Sequence, residues 1–147
     1  MLDHMGFGVS DYPRARSFYE KALAPLGIGI VMEVRPEEGG HAALGFEKDG
    51  KPFFWIALGN VSANIHVAFV AGSRAEVDAF HAAALAAGGR DNGAPGLRPH
   101  YHASYYAAFV LNPDGHNIEA VCHRPSDAQP VARAPSSGLS GGAKAPR

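Results

Sequence analysis

The chain has 147 residues, of which 46% are hydrophobic and 18% charged, and its formal net charge is −1. This composition is typical of one soluble globular domain, and without concentrated basic charge it argues against a nucleic-acid partner. A single cysteine, Cys122, excludes an intrachain disulfide and favours a reducing compartment. No apolar run reaches the roughly eighteen residues that a membrane span needs. We therefore predict a cytoplasmic protein with no membrane or nucleic-acid partner.

The first half of the chain reads as a strand, a helix and three further strands. Residues 2–9 alternate between two faces, as a strand does. Asp11 is predicted to be the N-cap of a helix with Pro13 in its first turn. This helix ends near Ala24, before Gly27. Three strands are predicted to follow, at residues 29–35, 41–47 and 53–58.

The second half repeats that order. Ser73 and Glu76 have the spacing of a capping box, which predicts a helix through Ala87. The strand after this helix is weakly marked, because residues 93–99 are rich in glycine and proline. The strands of this half are predicted at residues 64–71, near 90–92, at 105–111 and at 117–123.

The two halves align as an internal repeat. We predict an α+β fold of two βαβββ units related by a pseudo-twofold axis, with mixed sheets curled around a cleft and helices outside. The units are residues 1–60 and 64–123 of a single domain, 1–123. Residues 124–147 are rich in proline, alanine, serine and glycine and are predicted to form a flexible tail. An offset of 62 residues aligns the pairs His4/His66, Phe7/Phe69, Phe18/Phe80 and Gly27/Gly89.

The repeat predicts a metal site. His4 and His66 occupy equivalent places, and an offset of 65 residues between the last hairpin turns makes Phe54 the counterpart of Glu119. A glutamate within an apolar strand is costly unless it is paired or bound to a cation. Two imidazoles and a carboxylate suit divalent Fe, Mn, Ni or Zn. The predicted ligands are therefore His4, His66 and Glu119; the alternative is a decayed site in which Glu119 keeps only a hydrogen bond.

The loop before the seventh strand concentrates further candidates. We predict His102 or Tyr105 as a general acid or base, and Arg98 as a clamp for a substrate carboxylate or phosphate. The other predicted substrate-binding residues are Arg35, which is the counterpart of Arg98, together with Tyr101 and Phe54. The alternative for this loop is a stacked surface segment without a role in binding.

These stretches resemble the vicinal oxygen chelate superfamily, which includes glyoxalase I, extradiol dioxygenases, and fosfomycin-resistance and bleomycin-binding proteins. The resemblance implies metal ligands at His4, His66 and Glu119, a small-molecule substrate and a homodimer whose units pair within one chain or by exchange between two. The sequence departs from glyoxalase I-like members at Phe54, where they place a fourth ligand. The resemblance is carried by residues 2–11, 17–19, 24–27, 65–69 and 112–119.

The resemblance also implies a function. We expect a metal-dependent enzyme that chelates a small substrate through adjacent oxygens, like a lactoylglutathione lyase or an extradiol dioxygenase. The short, two-unit chain favours the first of these activities, whereas three ligands without a fourth favour the second. The alternatives are a metal-free binding or resistance protein of the bleomycin-binding type, and a structural dimer module.

Overall fold

The computed structural model describes residues 1–126, so most of the predicted tail lies outside the described residues. Two helices and eight strands follow one another in the predicted order, with two short 3₁₀ turns at Ala24–Leu26 and Pro36–Glu38. The first unit contains β1 (Met5–Val9), α1 (Tyr12–Leu23), β2 (Gly29–Val34), β3 (Ala43–Glu47) and β4 (Pro52–Leu58). The second contains β5 (His66–Val70), α2 (Arg74–Ala86), β6 (Arg90–Leu97), β7 (Tyr106–Leu111) and β8 (Asn117–Cys122).

The strands form two four-stranded mixed sheets, one from each unit. Their orders are β1-β4-β3-β2 and β5-β8-β7-β6. The β1–β4 and β5–β8 pairs are parallel and the remaining pairs are antiparallel. The predicted α+β class and the repeated βαβββ order are confirmed. Neither helix in this part of the chain is both long and apolar enough to cross a membrane.

Both helices begin at the caps that the sequence predicts. The Asp11 side chain accepts a hydrogen bond from the backbone N–H of Arg14, at 3.0 Å. Ser73 accepts one from the backbone N–H of Glu76, at 3.2 Å. The Glu76 carboxylate in turn accepts from the backbone N–H of Gly72 at 2.6 Å, one residue before the cap. These bonds satisfy backbone donors that the first helical turn leaves free.

Strand β6 is longer than the sequence predicts. It spans eight residues, Arg90–Leu97, where only a short strand near 90–92 was expected. The pairing with β7 shifts register between Asp91 and Gly93 and again between Gly93 and Gly96. Such bulges let an edge strand accommodate glycine and proline without losing its partner, which is why the breaker-rich sequence still forms a strand.

The helix-facing sides of the two sheets share one hydrophobic core. Buried side chains from both units belong to a single cluster, and α1 packs against α2. The Phe54 and Phe69 rings, one from each sheet, lie 5.1 Å apart. Because these sides face the shared core, the opposite sides of the two sheets, here called the outer faces, point away from it.

A buried hydrogen-bond network fastens the units together. Asn112, only 2% exposed, donates through Nδ2 to the Tyr19 hydroxyl at 2.7 Å. Its Oδ1 accepts from the backbone N–H groups of Asp114, at 3.0 Å, and His116, at 2.8 Å. The His116 ring is buried and contacts the Ser62 carbonyl at 2.8 Å. His116, which directly precedes β8, is therefore buried and not at the surface.

Replacing Asn112 with alanine should lower the free energy of unfolding by about 2–4 kcal/mol, because several buried groups lose their partner together. Urea denaturation followed by circular dichroism measures this change. The matched control is Asn92→Ala, which removes an exposed asparagine bond to Asn117 and should change stability by less than about 0.5 kcal/mol. Equal effects of the two substitutions would contradict a structural role for the network.

Candidate functional site

A histidine–glutamate pair lies on the outer face of the second sheet. His66 is the first residue of β5 and Glu119 lies in β8, directly beside Ala68 of β5. The His66 Nε2 and Glu119 Oε2 atoms are 2.9 Å apart. The Glu119 side chain is 2% exposed and the His66 side chain 52%. The carboxylate is thus buried and paired, while the imidazole faces solvent.

The second oxygen of Glu119 is also occupied. The Tyr105 hydroxyl donates to Glu119 Oε1 at 2.6 Å. Burial, together with this hydrogen bond and the charge of Glu119, raises the pKa of Tyr105 to about 12. Tyr105 is therefore a neutral phenol near pH 7, which holds the carboxylate as a donor and is not poised to act as a base.

The pair opens into a cavity of about 370 Å³, lined by His66, Tyr101, Tyr105, Phe109 and Glu119. This volume is in the range of small-molecule sites. The Tyr101 and Tyr105 rings lie 5.1 Å apart. Three aromatic side chains thus surround one imidazole and one carboxylate, an arrangement that can hold a small ligand with a polar end directed at the pair.

Phe109 is a wall residue that the sequence reasoning missed. It lies directly across from Glu119 on the neighbouring strand β7, and cross-strand neighbours point to the same face of a sheet. Counting outward from the predicted turn at residues 112–115 would set Ala108 opposite Glu119 instead. The observed loop closes with a hydrogen bond from the Asn112 N–H to the His116 carbonyl, one residue later, and this longer loop is what sets Phe109 opposite Glu119.

Two other predicted residues of this loop, Arg98 and His102, are not among the residues that line the cavity. The Arg98 guanidinium sits 5.5 Å from the centre of the Phe109 ring and donates to the Ala94 carbonyl at 2.8 Å. His102 is exposed and accepts from the backbone N–H of Ser104 at 3.1 Å. His123 directly follows β8, and the centre of its ring lies 5.0 Å from that of Tyr105.

The structure does not bring His4 to the histidine–glutamate pair. Its Nδ1 atom lies 2.7 Å from Asp3 Oδ1, at the exposed start of the first sheet. Within residues 1–126, no three His, Cys, Asp or Glu side chains are close enough to hold a metal. His4, His66 and Glu119 therefore do not converge within one chain, because the outer faces of the two sheets point away from the core that they share, and the three ligands stay a prediction for units paired between two chains.

Phe54 is not the counterpart of Glu119. The pairing of β1 with β4 sets Gly6 beside Trp55, as Ala68 is set beside Glu119 in the second sheet. A register shift between β3 and β4, at Phe46/Glu47, places an extra residue in this hairpin, and a shift of one residue reverses the face of a side chain. Phe54 is accordingly fully buried in the core.

Arg35 also lies apart from the cavity. Its side chain is exposed, and its backbone N–H donates to Glu38 Oε2 at 3.0 Å in the turn after β2. Of the four predicted substrate-binding residues, Tyr101 lines the cavity, Arg98 packs on its wall, and Arg35 and Phe54 do neither in a single chain.

Comparison with known proteins reveals clear relatives. A family model described as the Glyoxalase/Bleomycin resistance protein/Dioxygenase superfamily matches residues 1–120. A crystal structure of a glyoxalase/bleomycin resistance protein from Albidiferax ferrireducens is 29% identical, with a TM-score of 0.68, over 85% of this chain and 99% of that one. No curated protein matches.

More distant structures share the fold. A family enzyme from Burkholderia phytofirmans is 17% identical, with a TM-score of 0.62, and the match covers 84% of this chain and 98% of that one. A glyoxalase I variant from Zea mays is 21% identical, with a TM-score of 0.63, over 83% of this chain. The match spans 46% of the maize chain.

Replacing Tyr105 with phenylalanine should lower the free energy of unfolding of metal-free protein by about 1–3 kcal/mol, because a buried carboxylate oxygen loses its donor. The matched control is Tyr106→Phe, which removes a hydroxyl that donates to the exposed Asp78 at 2.7 Å. Its cost should be below about 1 kcal/mol. Urea denaturation of both variants measures the difference, and a smaller loss in Tyr105→Phe than in the control would contradict this account of Glu119.

Proposed function

Because the chain belongs to the glyoxalase/bleomycin resistance protein/dioxygenase superfamily, we propose that it is a metal-dependent enzyme acting on a small molecule through two adjacent oxygens. The observation that carries this proposal is the histidine–glutamate pair at the mouth of an aromatic cavity. His66 Nε2 and Glu119 Oε2, 2.9 Å apart, already point at each other. A cation entering from the exposed side of His66 would replace that contact.

The donor set suits the proposed metal. Imidazole nitrogen and carboxylate oxygen together fit divalent Fe, Mn, Ni or Zn. Tyr105 donates to one oxygen of Glu119 and leaves the other directed at His66, as an outer hydrogen bond does for a metal ligand. When bound, such a metal supplies Lewis acidity to a substrate held through adjacent oxygens.

The other residues around the cavity would position the substrate. Tyr101 and Phe109 line the cavity and would contact an apolar part of the bound molecule. Arg98, stacked on Phe109, brings a permanent positive charge next to that wall and would attract a substrate carboxylate or phosphate. His102 lies in the same loop and remains a candidate proton carrier.

A second copy of the chain would supply the third ligand. His4 lies on the outer face of the first sheet, at the place equivalent to His66, and both outer faces are open in a single chain. A twofold dimer brings the same two surfaces together twice, so the first unit of each copy would cover the second unit of the other. Exposed apolar side chains on the two sheets, Met32 (48%) and Val70 (72%), favour such burial. We therefore infer a homodimer with exchanged units and His4 from the partner.

Within the superfamily, the residues favour the dioxygenase-like activity over the lactoylglutathione-lyase-like one. Trp55 occupies the place where a fourth protein ligand would stand, and indole does not coordinate these metals. Three protein ligands with open positions are the arrangement of oxygen-using iron sites.

A metal-free binding protein is the second candidate. It is favoured by the two hydrogen bonds of Glu119, which already satisfy both oxygens without a cation. In this case the cavity would take a small molecule by stacking on Tyr101 and Phe109, and Glu119 would serve only to accept hydrogen bonds.

Protein purified without chelator should contain roughly one equivalent of Fe, Mn, Ni or Zn per chain. His66→Ala and Glu119→Gln should both lose the metal, because each substitution removes one of the proposed metal ligands. Elemental analysis measures the content. His81→Ala is the matched control, since His81 pairs with Asp91 at 2.9 Å outside the site and should retain the metal. If wild-type protein still contains no metal after reconstitution with these ions, the result would favour the second candidate, the metal-free binding protein.

Exchange between copies can be tested by complementation. His4→Ala and His66→Ala are each expected to lose the metal, but mixed dimers contain one site with both histidines intact. When equal amounts of the two variants are refolded together, half of the dimers should be mixed, and metal should return to about a quarter of the sites. Elemental analysis after removal of free ion measures this recovery. Loss of metal in each variant with no recovery in the mixture would place all ligands within one chain.

A further inference from the structure

Trp55 lies flat across the outer face of the first sheet. A Cβ atom built on Gly45 of β3 would stand 2.8–3.0 Å from three carbons of the indole ring. One on Gly6 of β1 would stand 3.0 Å from the Trp55 Cβ. Contacts shorter than 3.0 Å, as at Gly45, essentially do not occur between real side chains, so the absence of a side chain at Gly45 is what lets the indole rest on the sheet. The contact at Gly6 would be tight but tolerable with a small shift.

The two outer faces carry different residues at equivalent positions. Gly6 and Gly45 flank Trp55 in the first sheet, at the places where Ala68 and Phe109 flank Glu119 in the second. His4 and His66 are equivalent by the repeat. One face therefore carries a carboxylate in an aromatic cavity, and the other carries an indole ring at the equivalent place.

We propose that Trp55 is the stacking platform of the completed site and that the enzyme selects ligands with a flat, conjugated face next to their two chelating oxygens. This proposal rests on the proposed function, because it needs the outer face of one copy to meet the histidine–glutamate pair of the other. The half-buried indole would then form the wall opposite Phe109. A planar ligand between them gains face contact with both rings, whereas a puckered ligand of similar size does not.

The sequence offers a direct probe, because Trp55 is the only tryptophan of the chain. Its fluorescence should be quenched when a flat ligand stacks on it. The ligand pair is benzohydroxamate and cyclohexanecarbohydroxamate, which chelate through the same two oxygens and differ in whether the attached ring is flat. Titrations use wild-type protein, both metal-loaded and metal-stripped.

Wild-type protein should bind benzohydroxamate about fivefold more tightly than its cyclohexane analogue, the size expected for one aromatic stack. Trp55→Leu should reduce this preference, because only the contact with Phe109 remains, and Trp55→Phe should retain most of it. Calorimetry replaces fluorescence for these two variants. Equal affinities in wild-type protein, or an undiminished preference in Trp55→Leu, would overturn the proposal.

A second variant leaves the tryptophan in place. Gly45→Ala should tilt the indole away from the sheet and reduce the preference, whereas Gly29→Ala, whose Cβ would meet no atom within 4 Å, should not. An unchanged preference in Gly45→Ala would count against the platform. Metal content separates the failure of the two proposals. If the protein binds no metal, the proposed enzyme is contradicted. The role of Trp55 is then tested in metal-stripped protein: quenching of its fluorescence by benzohydroxamate but not by cyclohexanecarbohydroxamate supports the platform, and equal effects of the two contradict it.

Discussion

The buried network around Asn112 is the constraint on which the arrangement of the two units depends. Asn112 connects the α1 hydroxyl of Tyr19 to the turn that precedes β8, and His116 extends the network to the linker between the units at Ser62. Polar groups at this depth must be satisfied, so the network permits few relative orientations. The orientation that it permits merges the helix-facing sides of both sheets into one core and leaves both outer faces open.

This constraint explains why His4 lies apart from His66 and Glu119 in one chain. The outer face of the second sheet contributes one half of the candidate site. Glu119 is buried there, Tyr105 and His66 contact its two oxygens, and Phe109 and Tyr101 line the cavity. The equivalent half, with His4 and Trp55, is directed away from it. A site formed by both halves therefore requires a second copy, and the stability of the metal centre and of the dimer would be linked, because ligand binding stabilises the state that binds it.

Much of the fold follows from local sequence signals, whereas the site depends on register. Asp11 and Ser73 are recognisable from the sequence as N-cap residues, and the alternation of apolar residues marks most strands. The pairing of strands, in contrast, depends on residues that are distant in sequence. The extra residue in the β3–β4 hairpin places Trp55 instead of Phe54 on the outer face, and no local sequence signal marks that extra residue. The burial of His116 likewise depends on contacts with Ser62 and Phe7 that are distant in sequence.

The same register gives the two halves of the repeat different chemical roles. A buried glutamate is tolerated only where donors surround it, and Tyr105 and His66 provide them in the second unit alone. At the equivalent place in the first unit, Trp55 needs no donor for its ring but does need space, which Gly6 and Gly45 leave open. Under the proposed function each half would serve one task, the second holding a cation and the first offering a flat surface. Two second units facing each other would bring two histidines and two carboxylates together but no indole ring, and two first units would bring histidines and indole rings without Glu119. Only the pairing of unlike halves brings a carboxylate, two histidines and an aromatic plane together, and a twofold dimer with exchanged units forms that pairing twice.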